Sequence, residues 1–355
     1  VSALSIVAVT ALVWLTFFQR GPTLEACADG ACPVTLENLN TLSPDSPEAS
    51  SIAGLWWGIF GVAVVVFVLV EGALLWTVLR FRNRKPEEAV QIHGNTKLEL
   101  AWTAAPALIL VVVMGFSFRA MADIRAPASE NFITVNVVAQ QFWWAFTYPE
   151  FAGEDGRALV TGSELVVPVD TVINVRLESR DVEHGFWVPE LFGKMDAVPG
   201  YLNQLRFTPQ KVGTFYAGQC TQLCGTQHAQ MRFIVRVVSR EEFDDWVAQQ
   251  LAPPPAVAAG SAAARGQAAY LAAENGCVAC HVIDTVGGVG VIGPNLTNVG
   301  NRSILAGGII ANTPENMAAW LRNPQLVKPG SRMVLPRELD EATISDLVAY
   351  LGTLR

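Results

Sequence analysis

Histidine is scarce in this chain, with four residues in 355. A catalytic cluster that gathers many imidazoles around metal therefore has no place here. Charge is sparse as well: 16% of residues are Asp, Glu, Lys or Arg, and the formal net charge is −8. The basic residues form no patch of the kind that grips nucleic acid, which removes that class of partner. No internal repeat and no long low-complexity tract is present, so solenoids and arrays are excluded. Cysteine is limited to six residues in three close pairs.

What the chain has in excess is apolar surface. Hydrophobic residues make up 51% and the mean hydropathy is +0.32. Most of that excess sits in the first 120 residues, with nearly uninterrupted runs at 54–79 and 100–116. A bilayer core needs about 20 apolar residues per helix, so two spans are expected. Between them lies RFRNRK at 80–85, a basic loop that places its side in the cytoplasm and both long flanks outside. A further apolar stretch at 1–18 reads as a retained membrane helix, with a removed signal peptide as the alternative.

Beyond the membrane region the period changes. Segments 132–138, 164–169, 171–177, 213–218 and 231–238 are rich in β-branched residues and read as strands. Short strands parted by turn residues imply a β-sandwich or barrel. A helical segment at 241–250 is followed by LAPPPAVAAGS at 251–261, a semi-extended linker. Helical patterns at 265–275, 314–322 and 341–354 then make a small all-α module. The expected fold class is a multidomain membrane protein. It comprises a transmembrane region at 1–124 (helices near 1–18, 54–79 and 100–118), a β-domain at 125–250, the linker, and an all-α domain at 262–355. Residues 125–250 carry 10 basic and 15 acidic residues, against 7 of each in 262–355, so the β-domain could steer a basic partner at low salt.

Cys27 and Cys32 lie in an outward-facing loop, where a disulfide is expected, with lipid modification of Cys27 the alternative. The other four cysteines carry more chemistry. GQCTQLCGTQHAQM at 218–231 gathers Cys220, Cys224, His228 and Met231 in fourteen residues. Soft sulfur ligands mixed with imidazole suit copper, and two thiolates four residues apart can bridge two copper ions. His281 belongs to another motif and His93 lies in the cytoplasmic loop, which leaves His184 as the second imidazole. Cys220 and Cys224 would bridge the metals, His184 and His228 would terminate them, and Met231 and the Gln222 carbonyl would bind weakly. A zinc site or a Cys220–Cys224 disulfide is the competing reading.

CVACH at 277–281 offers two thiols for thioether bonds to haem c and an adjacent imidazole for iron, although a lone motif of this kind also fits redox or zinc chemistry. GPNL at 293–296 resembles the turn that follows haem attachment in cytochromes c, with Pro294 on the His281 side. Met333, in KPGSRM, is the expected sixth ligand and raises the haem potential. Met317 competes but sits within a predicted helix, where a core role is expected.

The loop at 218–231 and the stretch VPELFGKMDAVPGYLNQ within 181–204 resemble subunit II of haem-copper cytochrome c oxidases. The resemblance covers about 54–240, and a fused cytochrome c extends it to the C-terminus in the manner of caa3-type oxidases. It implies a helical hairpin carrying a cupredoxin-like domain with a binuclear CuA centre. Two departures stand out. The family carries Glu at the position of Gln222, which keeps the carbonyl but lacks the carboxylate and puts a magnesium ion there in question. The family's GHQWYW is AQQFWW at 139–144 here, so the Trp that usually receives electrons from cytochrome c aligns with Phe142. Trp143 and Trp144 either substitute for it or pack in the core.

Glu99, before the second span, matches a family glutamate at the mouth of a proton channel, with an interfacial carboxylate beside Lys97 as the alternative. Glu71, within the first span, is expected to face protein; a buried partner in a neighbouring subunit is the modest reading, with a proton role as the alternative. His93 is expected to be a solvated loop residue. The chain thus resembles the electron-input subunit of a terminal oxidase in a bacterial cell membrane, with both metal domains on the periplasmic side. Electrons would pass from a donor cytochrome or respiratory complex to haem c, then to CuA. They would continue to subunit I, where oxygen is reduced to water and protons are translocated. Other oxidase subunits and the lipid bilayer are the expected neighbours. The rival readings are the copper subunit of a nitric oxide reductase and a stand-alone electron carrier.

Overall fold

The structure is a computed structural model that describes residues 42–83, 93–125, 132–154, 156–288, 290 and 292–355. The expectations for 1–18, Cys27 and Cys32 lie outside these residues. Two units separate: residues 47–127, and the remainder of the chain.

The first unit holds helices α1 (Pro47–Phe81) and α2 (Thr96–Arg125), which touch one another. Both are long and apolar enough to cross a membrane. Phe67 and Leu110 are 64% and 68% exposed, so their apolar faces find no cover among the described residues, as suits helices that meet lipid or a neighbouring subunit. Both helices run past the apolar runs, because helix-forming residues continue beyond them. At the start of α2 the Asn95 side chain accepts from the Leu98 amide at 3.3 Å, and Glu99 Oε1 accepts from the Asn95 amide at 3.3 Å. Two amides that would otherwise lack partners at a helix start are thereby satisfied.

The second unit begins with a β-module of ten strands. They are β1 (Phe132–Gln140), β2 (Trp143–Ala152), β3 (Ala158–Gly162), β4 (Glu164–Pro168) and β5 (Val172–Ser179). Then come β6 (His184–Trp187), β7 (Met195–Ala197), β8 (Asn203–Phe207), β9 (Gly213–Cys220) and β10 (Arg232–Val238). They form two five-stranded sheets, β3-β2-β1-β5-β8 and β4-β10-β9-β6-β7. Alternate residues point inward, as the two-residue strand period requires: Val135 and Val137 from β1, Trp144 and Phe146 from β2, Phe233 and Val235 from β10, all buried in one core. Strands β1 and β5 run parallel, as do β4 and β10, so the chain crosses between the sheets rather than folding only through hairpins.

Five of these strands, β2, β3, β6, β7 and β8, are absent from the sequence reading. β6 and β7 have four and three residues, too short to show a period. β2 alternates in burial along its first six residues, but the adjacent aromatics FWW at 142–144 fit an electron-transfer role as well as a strand.

Helix α3 (Arg240–Leu251) closes the module and starts with a reciprocal cap between Ser239 and Glu242. After the linker come α4 (Ala262–Leu271), capped by Ser261, and α5 (Cys277–Cys280). Next are a two-stranded ribbon of β11 (Ile304–Leu305) and β12 (Ile310–Ala311), then α6 (Pro314–Arg322), α7 (Pro324–Val327) and α8 (Glu341–Leu351). This helical module has its own core, centred on Tyr270, Ile344, Leu347 and Tyr350. The sequence expects a tethered helical module; the structure seats it against the β-module through hydrogen bonds that cross from one core's wall to the other's.

Candidate metal and haem centres

Three adjacent strands deliver the sulfur and imidazole groups to one place. β9 ends on Cys220 and β10 begins after Met231, and the Cys220 amide donates to the Met231 carbonyl at 3.0 Å. The loop between them is therefore pinched at its base by a β-ladder. β6 starts on His184 and pairs with β9, with Phe186 opposite Cys220. Register in a sheet with one buried face is strongly fixed, so the histidine cannot drift from the loop.

The two thiols stand 3.6 Å apart, well beyond a disulfide bond. His184 Nδ1 lies 3.8 Å from the Cys220 sulfur, and His228 Nδ1 lies 3.7 Å from that of Cys224. Met231 Sδ is 3.9 Å from the Cys224 sulfur, and the Gln222 carbonyl is 3.2 Å from that of Cys220. His184, Cys220 and Cys224 hold their ligand atoms within 4.8 Å of one another, and His228 falls outside that group. One tetrahedral zinc would require all four atoms within about 4 Å of each other. Two imidazoles at opposite ends of a thiol pair suit two ions sharing the thiolates.

Electrostatics support metal loading. The Cys224 thiol hydrogen-bonds the Cys220 sulfur and, despite burial, brings the proton affinity of Cys220 well below that of a free thiol. Cys224 is raised in turn, because its neighbour already carries the charge. A metal that replaces both protons removes this conflict. Burial of His184 opposes its charge, but contacts with Cys220 and Asp181 raise its affinity for a proton. Asp181 Oδ1 sits 2.8 Å from His184 Nε2 and leaves Nδ1 facing the thiols. An outer carboxylate of this kind fixes tautomer and ring orientation. The sequence reading missed Asp181 as a functional group, although its position three residues before His184 is the signal.

The haem candidates sit around a mainly apolar cavity of about 180 Å³, whose lining includes Cys277, Cys280, His281, Met317 and Met333. α5 presents both cysteines on one turn, and His281 follows as its cap. His281 Nδ1 donates to the Pro294 carbonyl at 2.8 Å, which leaves Nε2 free for iron. Burial lowers the proton affinity of His281, so the neutral, ligating form is favoured. Gly293 is required beside the ring: a Cβ there would lie 2.3 Å from His281 Cε1. These groups fit haem c. Met317 is 5% exposed within α6, while Met333 is half-buried in an irregular segment.

The cavity's other wall comes from the β-module. Phe142 and Trp143 line it, and Trp143 Nε1 donates to the Ile292 carbonyl at 3.1 Å. Trp144 points the opposite way, fully buried against Phe186 and Phe233, with its ring 6.0 Å from that of His184. Adjacent residues on a strand thus face the two centres from one backbone. Gln141 ties them more directly: its Nε2 donates to the Cys224 carbonyl at 2.6 Å, and its Oε1 accepts from Arg332, next to Met333. Gly225, at φ +126°, lets Gln141 approach, since a Cβ there would lie 2.9 Å from Gln141 Nε2. No sequence signal marks Gln141, because its partners lie 83 and 191 residues away.

Glu99 is exposed at the start of α2, where it holds the Asn95 amide. Glu71 is exposed along α1, and His93 is exposed just before α2.

Comparison with known proteins follows the same divisions. Residues 36–120 match the cytochrome c oxidase subunit II transmembrane domain, residues 153–238 match the periplasmic domain of that subunit, and residues 263–355 match cytochrome c. Cytochrome c oxidase subunit 2 of Alkalihalophilus pseudofirmus is 34% identical over 329 residues, spanning 90% of this chain and 92% of the relative. The Bacillus subtilis protein of the same name is 30% identical, spanning 89% and 92%. A crystal structure of the periplasmic domain of subunit II of cytochrome oxidase from Bradyrhizobium japonicum is 34% identical. It covers 35% of this chain and 96% of that one, with a TM-score of 0.32.

Proposed function

The chain belongs to the cytochrome c oxidase subunit II family, with a C-terminal cytochrome c domain, and from that premise we propose that it is the electron-input subunit of a bacterial terminal oxidase. The subunit would receive electrons from a donor cytochrome or respiratory complex and deliver them to subunit I, where oxygen is reduced to water and protons are translocated. When bound, haem c and the copper pair supply reversible one-electron chemistry. The observation that carries the proposal is the shared wall: Phe142 and Trp143 line the haem cavity while the neighbouring Gln141 bonds the Cys224 carbonyl.

The residue roles follow from position. Cys277 and Cys280 would attach haem c, and His281 and Met333 would bind its iron, with Met333 free of the helical packing that occupies Met317. His184, Cys220, Cys224, His228, Met231 and the Gln222 carbonyl would hold CuA. Asp181 orients His184, and strands β6, β9 and β10 restrict rearrangement of the ligands. Trp144 excludes water from the inner side of His184. Phe142 and Trp143 would provide the route between the modules. Glu99 would take up protons at the cytoplasmic mouth of α2.

This reading divides the chain into a transmembrane region to 124, a cupredoxin-like domain at 125–250, a linker at 251–261 and a cytochrome domain from 262. It sets the last two folded domains in the periplasm. Subunit I and other oxidase subunits would cover the apolar faces of α1 and α2 that lipid does not. A magnesium ion at Gln222 is not proposed, since an amide replaces the carboxylate that would hold it.

Purification of the native complex, with copper and haem quantified and gas consumption measured, tests the proposal. Two coppers and one haem c per chain with oxygen uptake are expected. Robust nitric oxide consumption without oxygen uptake would overturn the oxidase assignment, and isolation without a large subunit would favour a free carrier.

A further inference from the structure

Each soluble module buries one charged side chain in the wall of the other. Lys328, from the segment after α7, is 2% exposed. Its Nζ donates to the Phe142 carbonyl at 2.9 Å, and to the Gln230 and Ala306 carbonyls at 2.8 Å each. Phe142 and Gln230 belong to the β-module, and Gln230 precedes the metal candidate Met231. An ammonium has three N–H groups and no acceptor, so these three carbonyls saturate it. Glu164, at the start of β4, is 4% exposed and reciprocates. Its Oε2 accepts from the Ser303 amide of the helical module at 2.8 Å, and its Oε1 accepts from Ser303 Oγ at 3.3 Å. Arg236 of its own module pairs with Oε1 at 3.0 Å.

Burying a charge is costly unless it is paired, and the seated arrangement pairs both of these. Undocked, the carbonyls around Lys328 and the Ser303 amide are satisfied by water; docked without the charges, they would be buried and unpaired, so removing either charge penalises the seated state alone. Gly307, at φ +71°, is shaped to this contact, since a Cβ there would lie 2.7 Å from Lys328 Nζ and 2.5 Å from the Phe142 carbonyl. A backbone bond from the Arg232 amide to the Gly307 carbonyl at 3.0 Å adds a rung across the boundary. Phe142, which faces the cavity from the β-module, is left 7% exposed.

We propose that Lys328 and Glu164 are positioning residues that form a two-point lock, seating the haem module on the copper module and reserving the Phe142 face for the fused cytochrome. The lock sets the separation of the two centres, and it closes that face to a second, soluble cytochrome. An external donor then has to deliver its electron to the haem module. The consequence for electron flow rests on the electron-input reading; the seating itself does not.

The test uses the full chain in its complex, with Lys328→Met and Glu164→Gln made separately. Each variant is read at the opposite anchor by amide hydrogen exchange: Ser303 in Lys328→Met and Arg232 in Glu164→Gln. Breaking one buried charged contact is expected to lower the docked-to-undocked ratio on the order of 100-fold. Both reporter amides should exchange at least about 10-fold faster, with the amides within α8 unchanged. Haem-to-copper electron transfer after flash reduction should slow by at least about 10-fold with both absorption spectra intact. Unchanged exchange at the far anchor, or acceleration that extends through α8, would overturn the lock. If exchange responds as expected and the electron-transfer rate does not, the seating stands and the claim that it sets the separation of the centres falls.

Discussion

The two centres are built on opposite strategies. The copper candidates are held by strands joined through backbone hydrogen bonds: Cys220, His184 and Met231 are fixed by register to β9, β6 and the start of β10. The haem candidates surround a cavity, and the module that holds them relies on short helices and irregular segments between α5 and α6. A pair of small ions can be accepted by a scaffold that is already complete. A large planar cofactor has to supply part of the core itself. The β-module should therefore be rigid before loading, and the helical module should depend on its cofactor.

Removing the haem attachment gives the largest expected break in that contrast. The double substitution Cys277→Ser, Cys280→Ser should cost the helical module several kcal/mol, on the scale of deleting large core groups. Its thermal transition should be lost, while calorimetry still shows that of the β-module. Equal destabilisation of both modules would remove the distinction. Met333→Leu asks a finer question of the same module. Loss of the thioether should lower the haem potential by on the order of 100 mV, about 2 kcal/mol, with the copper spectrum unchanged. An unaltered potential in redox titration would transfer the ligand role to Met317.

On the copper side, Asp181→Asn probes whether a preformed site still needs its outer carboxylate. Copper affinity should fall about 10- to 100-fold, measured by competition with a chelator, without a shift in the β-module's melting. The smallest effect is expected at Glu190. Burial, with the nearby Asp45 carboxylate, pushes its proton affinity up to about 7. Between pH 4.5 and 7 the folded state holds this proton more tightly than the unfolded chain does, so the group's contribution to stability falls as pH rises. Glu190→Gln should then stabilise the β-module by about 1–2 kcal/mol at pH 8 and by almost nothing at pH 4.5. A melting-temperature difference that does not vary with pH would refute this.

Legibility in the sequence followed the distance between partners. The sulfur and imidazole candidates at 220–231 and 277–281 could be read because their chemistry is local and their residue types are uncommon. His184 could be read because so few histidines compete with it. The membrane helices were legible from length and apolarity alone. Lys328 was not, because a lysine that donates to carbonyls 22, 98 and 186 residues away looks like any surface lysine in a string of letters. Gln141 and Glu164 escaped for the same reason. β7 was too short for periodicity, and β2 was hidden by aromatic residues with two plausible uses: Trp144 went to the core and Trp143 to the cavity wall.

The seat of the helical module also bears on how the protein matures. Lys328 bonds Gln230, and Gln227 donates to the Pro329 carbonyl, so one flank of the 220–231 loop is roofed once the modules meet. Leu223, 79% exposed, marks a flank that stays open among the described residues. On the copper reading, metal delivery would precede seating or approach past Leu223, because the loop presents a different surface before and after the helical module arrives.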